Sequence, residues 1–458
     1  MFSTYKHAVR AMPVPGKLPY AISIVLLILG VIVGFFVGQG TAPVATVTVT
    51  APGIAPPTTV TVTAPVAPIG LTGEVKIGTL IPLTGVLSTF GAQYRVVLEL
   101  AEKEINDYLA SLGRPWRIKF VIEDTATDPK THLDKLMALH GAGIKIFIGG
   151  TSSAELSEAL GYCNANKILI ISPSSTSPAL ALKDMALRYT LNDIYQGKAI
   201  AKIMWLRGIR WVIPVWRGDT WGDGLARYTL DYFKEICKAS GESCGVLEDY
   251  AIRYDPRATE FSAEAARLNE AISRAVATYG KDKVGILLIS FEEAAAVFAA
   301  AKAYSILWEV KWMGSDGTAA IEPLRDPAIA DMVIKVGFYN TMTSPGVSPH
   351  GEKIRSAVRS KLGMEPMGYT YFVYDIAWSV ALALDIVNSY DPVEVMRILP
   401  MVLERYLGAS GYIVLDENGD RSVGDYDIWA IVKVDAVYEW KIVGIYKGLT
   451  ETIEWYTS

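Results

Sequence analysis

Four apolar runs decide the fold: VKIGTLIPL at residues 75–83, RIKFVIED at 117–124, KIFIGG at 145–150 and KILIISPS at 167–174. Each run is short enough for a buried strand, and the stretches between them are long enough for crossover helices. Strands that alternate with helices in this way are typical of a parallel sheet covered by helices on both faces. We therefore predict a doubly wound α/β lobe that begins near Val75 and includes a fourth helix from about Ala179.

A second series of strands and helices follows from Tyr195, with strand-like runs at WVIPVW (211–216), VGILLIS (284–290), EVKWMG (309–314) and VIKVGFY (333–339). The pair Asn418-Gly419 predicts a tight hairpin turn near the C-terminus. The length fits two similar parallel-sheet lobes. We expect residues 74–191 plus 341–410 in the first lobe and 192–340 plus 411–458 in the second, with three crossings as the hinge.

Composition excludes several classes of function. The chain has 458 residues, is 51% hydrophobic and carries 43 basic against 48 acidic side chains, so a large core is expected. Only basic charges (Lys6, Arg10 and Lys17) precede residue 74, which leaves an acidic body unsuited to nucleic acid. Four histidines and three cysteines leave little from which to build a zinc site.

Residues 18–73 contain no charged side chain and no histidine. Within them, residues 18–40 include the apolar run AISIVLLILGVIVGFFV, and a helix of this length would rise roughly 34 Å against a hydrocarbon core of about 30 Å. The basic residues before it place the N-terminus, residues 1–17, in the cytoplasm and the remainder outside. We predict one transmembrane helix that anchors an extracellular domain in the cell membrane; a cleaved secretory signal is the alternative.

Residues 41–73 are built from Thr, Val, Pro and Ala, and TVTVTAP occurs at 46–52 and again at 59–65. Such a composition cannot bury a core, and proline removes hydrogen-bond donors from any sheet. An extended stalk, with its threonines open to glycosylation, is the main interpretation. Because polar Thr and apolar Val alternate in TVTVT, a pair of short strands is the alternative interpretation.

Hydroxyl side chains follow two neighbouring strands of the first lobe. Residues 151–153 (TSS) come after KIFIGG, and residues 172–178 (SPSSTSP) come after KILI. In open α/β sheets ligands bind beyond the carboxyl ends of strands, and free N–H groups at helix starts favour an anion such as a carboxylate. Ordinary helix capping by Ser152 and Ser177 is the alternative, although capping alone would need fewer hydroxyls.

The second lobe offers an acid and two aromatic residues in equivalent positions. Asp316 follows the strand-like EVKWMG and could pair with an ammonium group. Trp221 and Phe291 lie on loops after second-lobe strands, and Phe90 on the loop after the first strand could face them. Aromatic walls around a few polar groups are typical of a small-ligand cleft. A turn aspartate and simple packing are the structural alternatives.

Signatures of enzymes are missing from the sequence. It contains no GxxxxGK[ST], no GxSxG and no HExxH, so we expect no enzyme activity and no cofactor. Cys237 and Cys244 could form a disulfide if the domain is extracellular, whereas Cys163 has no evident partner.

In their order and spacing, the motifs resemble those of type I periplasmic binding proteins of the branched-chain amino acid (Leu/Ile/Val) class, the solute receptors of ABC importers. The resemblance covers about Val75 to Val434. It is carried by VKIGTLIPLTG with Phe90-Gly91, the segment Asp124–Pro129, IGGTSS, ISPSSTSP, Tyr195-Gln196-Gly197, TWGDGLA, WMGSDG and GYTYFVYDIAW.

Members of this family clamp the α-carboxylate and α-ammonium of an amino acid between the lobes. The resemblance implies that Ser153 and Thr176 hold the carboxylate through hydroxyl and N–H groups, and that the carbonyl of Ser174 accepts from the ammonium. Asp316 stands where binding members carry an acid for the ammonium, although Glu is more usual there.

Trp221 and Phe291 fall where the family closes aromatic side chains, usually tyrosines, over the ligand, and Phe90 would line the side-chain pocket. The change from tyrosine leaves the choice of ligand open. An uncleaved anchor with a Thr/Pro stalk, in place of a lipid-modified cysteine, resembles an archaeal way of tethering such receptors.

The expected function is therefore an extracellular receptor that captures an α-amino acid, branched-chain or otherwise apolar, and delivers it to ABC permease subunits. Two alternatives stay open. One is a sensory ectodomain with the same fold, which a cytoplasmic output domain would favour. The other is a receptor for an amide, urea or aromatic-acid solute, which the combination of Asp316 with Ser153 and Thr176 disfavours.

Overall fold

The computed structural model describes residues 47–48, 59–60 and 70–456, which fall into two units, 1–70 and 71–458. In the first unit Val47–Thr48 pairs antiparallel with Thr59–Val60. At these four residues the threonine-rich repeats form the short strand pair that was the alternative to an extended stalk. The predicted anchor at 18–40 lies outside the described residues.

The second unit contains a six-stranded parallel sheet, called here the first sheet. Its central strands are almost completely buried, as continuous apolar runs in a two-sided parallel sheet should be. Strand order in the first sheet is Asp420–Arg421, Ala186–Leu191, Leu169–Ser172, Ile146–Ile148, Gly73–Ile81 and Trp116–Asp124. The helices of this lobe are Ser88–Ser111, Pro129–Gly141, Ser153–Asn166, Gly351–Leu362, Gly368–Val387 and Pro392–Leu403.

A second parallel sheet forms the core of the other lobe. Strand order in the second sheet is Ile252–Tyr254, Trp211–Arg217, Val284–Ile289 and Lys311–Met313, with Gly245–Val246 paired to the start of Trp211–Arg217. Its helices are Asp193–Leu206, Thr220–Ser240, Ser262–Tyr279, Ala294–Ala301 and Pro327–Lys335. A disulfide joins Cys237 to Cys244 at the end of the helix Thr220–Ser240, with their Cα atoms 5.7 Å apart, while Cys163 is a buried free thiol in the first lobe.

A third sheet is antiparallel and joins two distant parts of the chain. Its strands, in order, are Asn340–Thr343, Tyr426–Val434, Val437–Lys447 and Thr452–Trp455. The sheet lies against the second lobe, where Trp440 donates from Nε1 to the carbonyl of Ile321 at 2.7 Å.

The lobe boundaries differ in two places from the division expected from sequence. Residues 411–458 were assigned to the second lobe, yet Asp420–Arg421 pairs with Ala186–Leu191 in the first sheet. The physical reason is a buried ion pair in which Arg188 Nε donates to Asp420 Oδ1 at 2.6 Å. Residues from 341 were assigned to the first lobe, whereas Asn340–Thr343 belongs to the third sheet.

Two local predictions were wrong. The helix expected from about Ala179 is a single 3₁₀ turn, Pro178–Leu180, followed by the strand Ala186–Leu191. This strand can be buried although it contains Arg188, because Asp420 neutralises that charge. The strand expected at 333–339 is instead the end of the helix Pro327–Lys335 and the turn after it. Tyr339 makes a parallel bridge to Met313 of the second sheet, and pairing in the third sheet starts at Asn340. At the predicted hairpin, a turn does form: Gly419 N–H donates to Asp416 O at 3.1 Å.

One described helix, Gly368–Val387, is long and apolar enough to cross a membrane. Within the described residues, however, 72% of its apolar window is buried inside the protein. Tyr369, Phe372 and Ile376 are among its fully enclosed side chains. The helix is therefore explained as a core element of the first lobe.

Candidate functional site

A narrow cleft lies between the two lobes, at the carboxyl ends of strands from both parallel sheets. Its volume is about 10 Å³, far below the roughly 300–1,000 Å³ of typical ligand pockets. Admission of an amino acid would therefore require the lobes to separate. The lining residues are Leu87, Phe90, Thr151, Ser152, Ser153, Ser174, Trp221, Phe291, Asp316, Gly317 and Tyr369.

The structure brings six of the seven residues predicted to bind a ligand to this cleft: Phe90, Ser153, Ser174, Trp221, Phe291 and Asp316. The seventh, Thr176, does not line the cleft but is buried two residues beyond Ser174. Its carbonyl accepts from the N–H of Asp193 at 2.9 Å, where the first helix of the second lobe begins. Thr176 therefore connects the hydroxyl-rich loop to the second lobe.

The first lobe contributes two hydroxyl-rich loops that are bonded to each other. Ser153 Oγ accepts from the N–H of Ser177 and from Ser175 Oγ, both at 3.1 Å. Ser174 Oγ donates to the carbonyl of Thr151 at 2.8 Å. These side chains thus fix the two loops in register.

The same loops leave backbone groups available to a ligand. Ser153 is the first residue of its helix, so its N–H has no partner within the helix. Among the described hydrogen bonds, none uses the N–H of Thr176 or ends on the carbonyl of Ser174. Ser152 and Glu155 form a capping box at this helix start, so the expectation of capping was also correct. The loops therefore combine capping with free donors suited to an anion.

Asp316 is the acidic group of the cleft and is 4% exposed. Gln196 Nε2 donates to its Oδ1 at 2.9 Å, and the hydroxyl of Tyr369 donates to its Oδ2 at 2.6 Å. Burial raises the pKa of Asp316, and these two hydrogen bonds partly oppose that rise. Its carboxylate is therefore held in one orientation and would gain from a cationic partner.

A second carboxylate is buried near Asp316. Asp193 is fully buried, and among the described residues none lies within hydrogen-bonding distance and angle of its carboxylate oxygens. Burial raises the pKa of Asp193 well above the usual range, and the charge of Asp316 raises it further. Because two like charges in a low-dielectric interior repel strongly, we expect the empty site to hold at least one proton on this pair.

The second lobe contributes an aromatic wall. The rings of Trp221 and Phe291 stack with centroids 4.5 Å apart, and the guanidinium of Arg217 lies 4.0 Å from the Phe291 centroid on the same wall. Arg217 is fixed by ion pairs with Asp219 and Glu293. This stack makes the second-lobe side of the cleft rigid and apolar.

Gly317 allows the wall to approach Asp316. A Cβ atom at this position would lie 2.6 Å from Trp221 and 2.7 Å from Phe291. Opposite the wall, Phe90 lies 5.9 Å from the ring of Tyr369. Aromatic side chains thus line both sides of a small polar centre.

A larger groove, with a volume of about 740 Å³, runs along the third sheet. Its basic side chains already have acidic neighbours, such as Arg325 with Glu322 at 2.8 Å and Lys441 with Glu439 at 3.7 Å. It lacks the converging free donors of the narrow cleft, which is therefore the better candidate for small-molecule recognition.

Sequence reasoning did not select Asp193, Gln196 or Tyr369 as site residues. Gln196 and Tyr369 lie in motifs quoted for the family resemblance, but each sits in an otherwise apolar helix. A polar side chain within an apolar helix was the one sequence signal that could have identified these two residues as members of the site. The contacts themselves join residues 53 and 120 positions apart, which no local pattern reveals.

Comparison with known proteins agrees with this architecture. The sequence model of the family described as receptor family ligand binding region matches residues 93–433. An uncharacterized protein of Methanocaldococcus jannaschii is 32% identical over 400 residues, which cover 83% of this chain and 91% of that protein. Leu/Ile/Val-binding protein homolog 1 of Brucella abortus is 27% identical over 365 residues, covering 77% and 89%.

Solved structures share the fold. A leucine binding protein of Thermotoga maritima superposes with a TM-score of 0.64 at 20% identity, covering 80% of this chain and 97% of that one. An ABC transporter solute binding protein of Rhodopseudomonas palustris in complex with 3,4-dihydroxybenzoic acid gives 0.65 at 16% identity, covering 81% and 96%. The family and the fold are those of ligand-binding proteins. The chain belongs to the family described as the ligand binding region of receptors, and it is a type I periplasmic binding protein.

Proposed function

We propose that the protein is an extracellular receptor that captures an apolar α-amino acid and delivers it to an ABC import permease. The observation that carries the proposal is the convergence, in one cleft, of free backbone donors from the first lobe and the oriented carboxylate of Asp316 from the second. An anion-binding half and a cation-binding half suit a zwitterion. The aromatic walls suit an apolar side chain.

Each part of an amino acid has a matching group. The N–H group of Ser153 would bind the α-carboxylate, joined by that of Thr176 once separation of the lobes exposes it, and the helix that starts at Ser153 adds its positive end. The carbonyl of Ser174 and the carboxylate of Asp316 would accept from the α-ammonium. Phe90, Trp221 and Phe291 would enclose the side chain.

Relatives favour the same class of ligand. The Brucella abortus protein is named for leucine, isoleucine and valine, and the Thermotoga maritima structure is that of a leucine binding protein. Branched-chain amino acids are therefore the first ligands to test. Transport by a permease is proposed because related binding proteins belong to ABC transporters.

An aromatic acid is the second candidate. The Rhodopseudomonas palustris protein binds 3,4-dihydroxybenzoic acid, and the stacked rings of Trp221 and Phe291 could pack against a benzene ring. Such a ligand has a carboxylate but no ammonium, so it would leave Asp316 unpaired. A sensory ectodomain, or a receptor for a urea-type solute, would use the same cleft.

Capture requires no bond to be broken. The ligand would act by favouring the closed arrangement, in which both lobes contact it. Residues 18–40 would hold the domain at the outer face of the cell membrane, with the threonine-rich segment 41–73 as a spacer.

Calorimetry on the full-length chain in detergent tests the proposal. The panel comprises leucine, isoleucine, valine, 3,4-dihydroxybenzoate, urea and a short amide. Saturable binding of at least one branched-chain amino acid is the expected result. If the aromatic acid or urea binds and no amino acid does, the proposed ligand class is wrong.

A further inference from the structure

The helix Ser88–Ser111 begins at the rim of the cleft without a cap from its own sequence. Its N-cap residue is Leu87, which makes no side-chain capping hydrogen bond. Leu87 and Phe90, at the start of this helix, both line the cleft. The first N–H groups of a helix need partners, and they carry a partial positive charge.

Glu292, from the other lobe, supplies the missing cap. Its Oε1 accepts from the N–H of Thr89 at 2.7 Å, and its Oε2 accepts from Ser88 Oγ at 3.0 Å. Its own N–H donates to the carbonyl of Val86 at 3.1 Å. Three hydrogen bonds therefore join residues about 200 positions apart across the rim of the cleft.

The surroundings of Glu292 favour this role. The residue directly follows Phe291 of the aromatic wall, so the cap is continuous with the ligand site on both lobes. Among the described ion pairs, none includes Glu292, which leaves the helix start as the positive partner of its carboxylate. A second contact in the same region, from Glu322 N–H to Thr89 Oγ1 at 3.5 Å, is longer and weaker.

A second contact between the lobes is an uncharged hydrogen bond. Ser177 Oγ donates to the carbonyl of Thr220 at 2.8 Å, next to Trp221. This bond carries no formal charge, so it contributes less than the charged cap. Opening of the lobes would break both contacts, and at Glu292 it would leave a helix start without its charged cap.

We infer that Glu292 is a latch: it caps the helix Ser88–Ser111 across the cleft and so sets how long the closed lobes retain a ligand. Glu292 is a positioning residue, since it does not line the cavity. The inference rests on the proposed function for its effect on ligand retention, but the latch itself is a property of the protein without ligand.

The test compares Glu292→Gln with wild type and with the control Glu270→Gln, all as full-length chains in detergent. Glu270 is exposed and pairs only within its own helix, with Arg274. Stopped-flow measurement of leucine dissociation gives one readout, and hydrogen exchange of residues 86–92 without ligand gives a second.

We expect Glu292→Gln to dissociate leucine about 5-fold to 30-fold faster, as loss of a charged cap implies. Exchange of the Thr89 amide should also rise in the ligand-free variant but not in Glu270→Gln. Unchanged exchange at Thr89 in the ligand-free variant would overturn the latch.

The two readouts separate the two proposals. If leucine does not bind wild type, the proposed ligand is wrong, and the exchange of Thr89 still decides whether the latch exists. If leucine binds and exchange rises while its dissociation rate stays the same, the latch forms but does not retain ligand, and the inference fails.

Discussion

The two lobes present different chemistry to the same cleft. The first lobe offers hydroxyls and N–H groups, with Ser153 bonding two loops together, whereas the second offers the carboxylate of Asp316 and the stacked rings of Trp221 and Phe291. An anion would therefore be bound by one lobe and a cation mainly by the other. A ligand that carries both charges bridges the lobes, which explains how recognition and closure can be one event.

The largest effect should come from removing the charge of the second lobe. Asp316→Asn keeps the shape of the side chain but loses the negative charge that faces an ammonium. We expect leucine affinity to fall about 100-fold, or about 3 kcal/mol. Calorimetry measures the leucine affinity of this variant. The control is Asp282→Asn, a substitution at an exposed position away from the cleft. An affinity within threefold of wild type would remove Asp316 from the site.

A substitution in the first lobe should lower leucine affinity less than Asp316→Asn does, but it should lower the free energy of unfolding more. Ser153→Ala leaves the N–H of Ser177 and the hydroxyl of Ser175 without their buried acceptor. We expect a loss of about 1–3 kcal/mol in the free energy of unfolding and an affinity loss of about tenfold. Denaturant titration and calorimetry measure the two, and Ser422→Ala, which loses a hydroxyl outside the cleft, is the control. Equal unfolding energies for the two variants would contradict the proposed bonding of the loops.

Affinity should depend on pH through Asp193 and Asp316. Both have raised pKa values, so the empty site holds a proton that a bound ammonium would displace. Leucine should therefore bind more tightly as pH rises, and binding should release protons. Calorimetry in buffers of different ionisation enthalpy measures the release, which Asp193→Asn should reduce. Proton uptake on binding would contradict this account.

The free energy of unfolding of the unliganded protein should fall as pH rises, whereas leucine affinity should increase. A carboxyl with a raised pKa in the folded state keeps a proton that the unfolded chain loses above the ordinary aspartate value of about 3.9. The contribution of Asp193 to stability is thus present below that pH and is lost as pH rises towards its folded pKa. Chemical denaturation of wild type and Asp193→Asn across this range should show the difference, and a wild-type contribution that grows with pH would be inconsistent with a raised pKa.

The smallest effect on binding should come from the disulfide of the second lobe. Replacing Cys237 and Cys244 together by serine lowers the free energy of unfolding, because the link restricts the unfolded chain. The helix end that it ties lies away from the cleft lining, so leucine affinity should stay within about twofold. A larger loss of affinity would mean that the second lobe transmits strain from this helix to Trp221.

The sequence predicted the parts of the molecule that depend on local pattern. Buried parallel strands such as Ile146–Ile148 are continuous apolar runs, and the residues that follow such strands must meet at one edge of the sheet. This rule selected the two hydroxyl-rich loops and Asp316 in advance, and the family resemblance then singled out Ser153 and Ser174; all three residues lie in one cleft.

The features that were missed depend on partners far along the chain. Arg188 is acceptable in a buried strand only because Asp420 neutralises it 232 positions later. Burial raises the pKa of Asp193, and Asp316, from a different element, raises it further; Glu292 caps a helix that starts about 200 residues earlier. Such pairs are created by the packing of elements, so no pattern within one element predicts them.

The most direct test of the two-lobe account compares leucine with two analogues that each lack one charge. These are 4-methylpentanoate, without the ammonium, and 3-methylbutylamine, without the carboxylate, both measured by calorimetry on the full-length chain. If the lobes bind opposite charges of one ligand, each analogue should bind at least about 100-fold more weakly than leucine. Binding of either analogue as tightly as leucine would contradict the account.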